Sequence, residues 1–240
     1  MKLKFSWPAL LLLLVITLGS CSKEYPCVRG SSHLTTQSFN LAPFEGVDFR
    51  LPGSVQVVKG TQPSVTIKAS DNHVGIIRAY VVGNNLIIDT DNRCLKNTNI
   101  EITVTTPSLN YLRVAGSGYL VSSDDFSADE WELRVDGSGT VSAQTNGGIV
   151  NANVSGSGTI QLEGSVEEFK PVISGSGDIK GYHLLAENVE ARISGSGKIQ
   201  TTVSQLLKVN ISGSGDVFYK GNPTAVNTAI SGSGKLVKAD

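Results

Sequence analysis

Several things are scarce in this 240-residue chain, and each scarcity excludes a class of protein. Aromatic residues make up only 6%. Lysine and arginine number 20 against 21 acidic residues, a formal net charge of −1, so no basic surplus points to nucleic acid. There are three cysteines and no Cys-x-x-Cys, so a structural zinc site is not indicated. The three histidines, His33, His73 and His183, are scattered without metal-ligand spacing. No segment holds a 3.6-residue apolar period long enough for a substantial helix; only Asp71 to Arg78 has room for a short helical turn. The glycine pairs lack both the Gly-x-Gly-x-x-Gly-then-helix pattern and a Gly-Lys-Ser/Thr, so phosphate cradling is unsupported. No Gly-x-Ser-x-Gly elbow leads into a helix, which removes the commonest serine-nucleophile signature.

What is abundant is glycine, 26 residues, together with Val, Ile, Thr and Ser. Glycine without a collagen period, in that company, favours an all-β fold. The glycines are ordered. Gly-Ser-Gly begins at Gly116, Gly137, Gly156, Gly175, Gly195, Gly213 and Gly232, with spacings of 21, 19, 19, 20, 18 and 19 residues. A period of about 20 residues is the mark of a solenoid.

Aligning the seven copies exposes the reason for the repeat. Two residues before the first glycine stands Val114, Val135, Val154, Ile173, Ile193, Ile211 or Ile230. Two residues after the last stands Leu120, Val141, Ile160, Ile179, Ile199, Val217 or Leu236. All are branched aliphatics, and the residues between are polar. That is the two-residue period of a strand with one face buried. Read with unbroken parity, both glycines point inward and the serine between them points out. Stacked coils then form an outward serine ladder, and seven rungs at ~4.8 Å rise to roughly 30 Å. The residue after the tripeptide reads Asp178, Lys198, Asp216 and Lys235 in the last four copies. In-register parallel stacking would set opposite charges side by side as a salt-bridged ladder. The reading is a parallel β-helix or solenoid of ~20-residue coils over 111–240. Residues 46–110 form an irregular β-rich N-terminal cap of the same domain. Within that cap Leu51-Pro52-Gly53-Ser54 resembles a degenerate tripeptide. Gly53 lies 63 residues before Gly116, the length of three coils.

The N-terminus carries a different signal. Lys2 and Lys4 precede an apolar run from Phe5 to Leu18, too short for a comfortable membrane span. Leu18-Gly19-Ser20-Cys21 follows and resembles a bacterial lipoprotein lipobox. The resemblance implies a signal peptide over 1–20, cleavage before Cys21, and acylation (including palmitate) of Cys21. The alternative is an ordinary signal peptide with a chance cysteine. Cleavage leaves 18 basic and 21 acidic residues, a net −3. Ser22, rather than Asp, leans the sorting toward the outer membrane. Residues 21–45 are then a lipidated tether and linker. Cys27 and Cys94 remain, and outside the cytoplasm such a pair can form a disulfide.

Phe44-Glu45-Gly46-Val47-Asp48, Pro52-Gly53-Ser54-Val55-Gln56-Val57, Gly60, and Thr106-Pro107-Ser108-Leu109 leading to Leu112-Arg113-Val114-Ala115-Gly116-Ser117-Gly118 resemble the putative auto-transporter adhesin head GIN domain family. That family is common in lipoproteins of Bacteroidetes. The resemblance covers about residues 40–240. It implies an extracytoplasmic β-helical domain, and its name suggests adhesion; it brings no catalytic residues.

The functional expectation is therefore a lipid-anchored cell-envelope protein, not an enzyme and without a cofactor. It serves in adhesion or surface scaffolding, with a glycan or protein ligand on the solenoid face and no nucleic acid. The first alternative is a glycan-active β-helix enzyme using Asp178 and Asp216 as paired carboxylates. Lys198 between them favours a solvent-facing charge ladder instead. The second alternative is ice binding by two hydroxyl rows, Ser155, Ser174, Ser194, Ser212 and Ser231 beside the tripeptide serines.

Overall fold

The computed structural model describes residues 27–240. The cap comprises β1 (Val28–Arg29), β2 (Leu34–Asn40), β3 (Gly46–Phe49), β4 (Ser54–Lys59) and β5 (Ser64–Ser70). It continues with the one-turn helix α1 (Asp71–Val74), β6 (Arg78–Val82), β7 (Asn85–Asp89), β8 (Leu95–Lys96) and β9 (Glu101–Thr106). The repetitive part begins with β10 (Tyr111–Gly116), β11 (Tyr119–Gly137), β12 (Thr140–Gly156) and β13 (Thr159–Gly175). It ends with β14 (Asp178–Gly195), β15 (Lys198–Gly213), β16 (Asp216–Lys220), β17 (Ala225–Gly232) and β18 (Lys235–Lys238).

Each strand from β11 to β15 is one coil. It starts just past one tripeptide, crosses two faces and stops at the first glycine of the next. Neighbouring coils pair in parallel, and the first glycines lie opposite one another from Gly116 to Gly232. The sequence-derived β-solenoid is thus the observed fold. Inside it the two aliphatic rows stack as read from the repeat: Val135, Val154, Ile173, Ile193 and Ile211 are buried, as are Leu120, Val141, Ile160, Ile179, Ile199 and Val217. A third column, Trp131, Val150, Phe169, Val189 and Leu207, fills the space between the faces. β17 in the last coil pairs only with β15 and nothing among the described residues stacks on its other side, so Val226 and Ile230 are 42% and 41% exposed.

The tripeptide departs from unbroken parity. Its second glycine is buried, as Gly158 is against Val135 Cγ1, where a Cβ would clash. Its first glycine instead turns a corner at φ between +122° and +136°, half-exposed in the middle coils and exposed at Gly116 and Gly232. That backbone region is closed to side chains with a Cβ. The serine between faces solvent, and the ladder rounds the corner because its amide donates to the preceding coil's glycine, as Ser157 N does to Gly137 O at 3.0 Å.

The cap differs from the expected stack of three irregular coils. Gly53 also has positive φ, +123°, but β3 and β4 lie directly on β10 and β11, with Ser54 opposite Tyr119. On their other side β3 pairs with β7 and β4 with β9, still in parallel. Beyond that layer the direction reverses: β6 on β7, β5 on β9 and β2 on β5 are antiparallel. The 62 intervening residues fold back to cover the end of the solenoid rather than add rungs between. Antiparallel closure uses up the strand edges that a parallel stack would leave open.

The 21–45 linker must also be corrected. Residues 34–40 form β2, seven residues paired with β5, with Phe39 packed on the core. Its alternation was missed because six of the seven residues are exposed and five are polar or uncharged small side chains that carry little periodic signal.

Residues 28–29 pair with 95–96, and this brings Cys27 and Cys94 within bonding distance, with sulfurs 2.13 Å and Cα atoms 4.4 Å apart. The two are 67 residues apart in sequence, so a bond between them constrains a long loop of the unfolded chain. Thiol counting on the non-reduced, purified protein is expected to find no free Cys27 or Cys94. Reduction is expected to cost about 2–4 kcal/mol of unfolding free energy. A free thiol at Cys94 in protein isolated without reductant would contradict this.

Candidate functional site

The residues singled out in the sequence occupy three places. Cys21 and the lipobox lie outside the described residues. The hydroxyl rows are on the solenoid surface: Ser174, Ser194, Ser212 and Ser231 line a shallow groove on one face, beside Arg192 and Asn210. Asp178, Lys198, Asp216 and Lys235 lie on another face in register.

The expected salt bridges along that last row are absent among the described residues. Lys198 instead reaches over the Phe218 ring, its Nζ 5.5 Å from the centroid, and Asp216 Oδ1 accepts from the Lys235 amide at 3.0 Å. Exposed lysine gains little from a solvated carboxylate, and a neighbouring ring offers a comparable attraction. Ion pairs within one strand, two residues apart, form elsewhere on the coils: Glu132 with Arg134, and Glu168 with Lys170. The histidines stay apart. His73 is buried, its Nε2 3.0 Å from Val28 O, while His33 and His183 are exposed.

The densest polar constellation lies at the cap, where the chain carries no repeat. Asp48 on β3 is 5% exposed, and its Oδ2 accepts from Arg50 Nη2 at 2.6 Å, Arg50 Nε at 3.0 Å and Arg113 Nη1 at 3.2 Å. Its Oδ1 is buried without a partner. Arg113 Nε also donates to Asp136 Oδ2 at 2.7 Å. Next to this, on the β6–β7 hairpin, Arg78 Nε donates to Asp89 Oδ1 at 2.8 Å and Arg78 Nη1 lies 3.2 Å from Asp91 Oδ1. Tyr80 donates its hydroxyl to Asp89 Oδ2 at 2.9 Å. The only local signal was Asp48 and Arg50 alternating with Val47, Phe49 and Leu51, which reads equally as an ordinary solvated face.

Asp89 shows how this network is poised. Burial opposes its charge, but hydrogen bonds from Arg78, Tyr80 and the Asp91 amide outweigh burial and hold its carboxyl below the ordinary value. A carboxylate depressed in the folded state contributes stability above its unfolded pKa, about 3.9, and loses it as pH falls through the folded value. Acid titration of unfolding should therefore show a loss of stability below about pH 4. Asp89→Asn should flatten that acid limb. An unchanged limb would mean Asp89 is not held as described.

No helix among the described residues is long and apolar enough to cross a membrane. No curated protein matches the chain. Solved structures do. A protein from Bacteroides fragilis NCTC 9343, described as a putative adhesin, is 25% identical with a TM-score of 0.80; the match covers 88% of this chain and all of that one. A protein from Parabacteroides merdae ATCC 43184, also described as a putative adhesin, is 20% identical with a TM-score of 0.69, over 89% and 99% of the two chains. A protein from Parabacteroides distasonis ATCC 8503, described as a putative lipid binding protein, is 23% identical with a TM-score of 0.73, over 90% and 100%. The last two likenesses speak to fold alone. Residues 43–223, most of the chain, match the family signature itself, and the protein belongs to the putative auto-transporter adhesin, head GIN domain family.

Proposed function

We propose that this protein is a lipid-anchored, non-enzymatic adhesin of the bacterial cell envelope, held at the outer membrane through Cys21. The observation that carries the adhesive reading is the solenoid itself. In-register coils repeat the same outward rows, and a scaffold of that kind holds a surface at a fixed distance and orientation. Family membership and the similar Bacteroides fragilis protein described as a putative adhesin support it. The lipobox-like Leu18-Gly19-Ser20-Cys21 supports the anchor. Several acyl chains on one cysteine, at ~0.8 kcal/mol per buried methylene, give stable retention.

One experiment tests both halves. Cells making the full chain are compared with cells making Cys21→Ser, for membrane retention and for adherence to surfaces coated with extracellular-matrix proteins or glycans. The variant is expected in the soluble fraction, with adherence reduced to that of cells lacking the protein. Retention of Cys21→Ser in the membrane would overturn the anchor. Equal adherence with and without the protein would overturn the adhesin.

A further inference from the structure

Any ligand recognised by the repetitive faces alone would find much the same chemistry on successive rungs. A distinct address needs unlike side chains that converge, and the set richest in paired charges is at the cap. Beside the Asp48 network lies a depression of about 500 Å³ whose lining includes Arg50, Arg78, Tyr80, Asp89, Asp91 and Arg93. Its volume falls within the roughly 300–1,000 Å³ usual for small-molecule sites.

The chemistry of the lining narrows the ligand. Three guanidinium groups, Arg50, Arg78 and Arg93, stand with three carboxylates, Asp48 behind Arg50, and Asp89 and Asp91 on Arg78. Balanced charge gives no net pull on a free anion or a free cation. A divalent ion would have to displace Arg78 from both of its carboxylates. What remains is a set of charge-assisted donors and acceptors at close spacing. A vicinal diol matches that set, because each hydroxyl both donates and accepts. Arg78 lies over the Tyr80 ring, 5.5 Å from its centroid, and so is braced from below as well as by Asp89. Side chains already held by one another lose little freedom when a ligand binds. The rim is fixed too. Asp91 and Asn92 form a tight turn with φ of +54° and +63°, closed by Arg93 N to Thr90 O at 3.2 Å, immediately before Cys94.

We infer that this cap depression, and not the solenoid face, is a saccharide-binding site that grips a neutral sugar through adjacent hydroxyls. The inference rests on the adhesin reading and names one ligand class for it.

The test uses the full chain in detergent on an array of neutral, sialylated and sulfated oligosaccharides. Saturable binding to at least one neutral glycan is expected. Asp91→Asn and Arg93→Ala are each expected to weaken it tenfold or more. Both residues are exposed, Asp91 at 69% in its side chain, so unfolding midpoints should not move. Ser194→Ala with Ser212→Ala, on the serine row, should leave binding intact. Binding only to sialylated or sulfated glycans, no glycan binding, or neutral binding that survives Asp91→Asn with Arg93→Ala would each overturn the inference. If cells still adhere while the Arg93→Ala protein binds glycans normally, the site falls and the adhesin reading stands. If purified protein binds glycan through the site while cells gain no adherence, the reverse holds.

Discussion

Gly175→Ala is expected to lower the unfolding free energy by about 2–5 kcal/mol, read from the denaturant midpoint. Two causes add. Gly175 sits at φ +136°, a conformation that costs a residue with a Cβ about 1–3 kcal/mol. Its new Cβ would also lie 2.5 Å from Gly156 O and 3.2 Å from Gly156 N, which are backbone atoms of the coil beneath and cannot swing aside. Relief requires the coils to separate at the corner, where the Ser176 amide donates to Gly156 O at 2.9 Å. Ser176→Ala, one residue on, faces solvent and should change stability by no more than about 0.5 kcal/mol. Equal midpoints for Gly175→Ala and Ser176→Ala would mean the corner does not need glycine.

The second large effect is expected in the interior. Trp131 is fully buried between the faces, in one column with Val150, Phe169 and Val189, and its Nε1 donates to Asn146 O at 3.2 Å. Trp131→Ala removes the largest buried side chain among the described residues and leaves a void that the rigid coil of β12 on one side and the segment leading into β10 on the other cannot close. The cost should be about 3–5 kcal/mol. Trp131→Phe keeps most of the volume and loses the indole hydrogen bond, so it should recover more than half of that. Because each coil touches only its neighbours, amide exchange should quicken first near β11 and β12 and least toward β15. Uniform acceleration along the chain would show that the solenoid melts as one unit instead.

The contrast between these two sites explains what could be read in advance. The corner glycines belong to a repeat, and seven copies average out local accident, so the rows beside them were legible. Trp131 belongs to a column whose other members are Val150, Phe169, Val189 and Leu207. Its spacing from the tripeptide is constant, but the residue types vary too widely to mark it as one row. The polar site was less legible still. Arg50, Arg78, Asp89 and Arg113 are spread over 64 positions and carry no shared motif. Nothing in a local pattern shows that β3 lies between β7 and β10.

Coil length, the parallel in-register stack, the two aliphatic rows and the outward serines are all written in the chain's local pattern. Each of these follows from a two-residue alternation repeated at a fixed period, which is information held within one coil and its neighbour. The tertiary structure decided which glycine turns the corner, because backbone curvature overrides alternation there. It also decided how Lys198 spends its charge, since a ring two strand positions away competes with solvated carboxylates. Above all it decided the cap. There the chain inserts β3 and β4 between β10–β11 and β7–β9, and then reverses direction. Pairing partners far apart in sequence are chosen by the need to cover open strand edges and bury Val47, Phe49 and Leu86 together. The same long-range choice brings three arginines and two aspartates to one depression, with Asp48 behind them, the feature of this protein that no repeat announces.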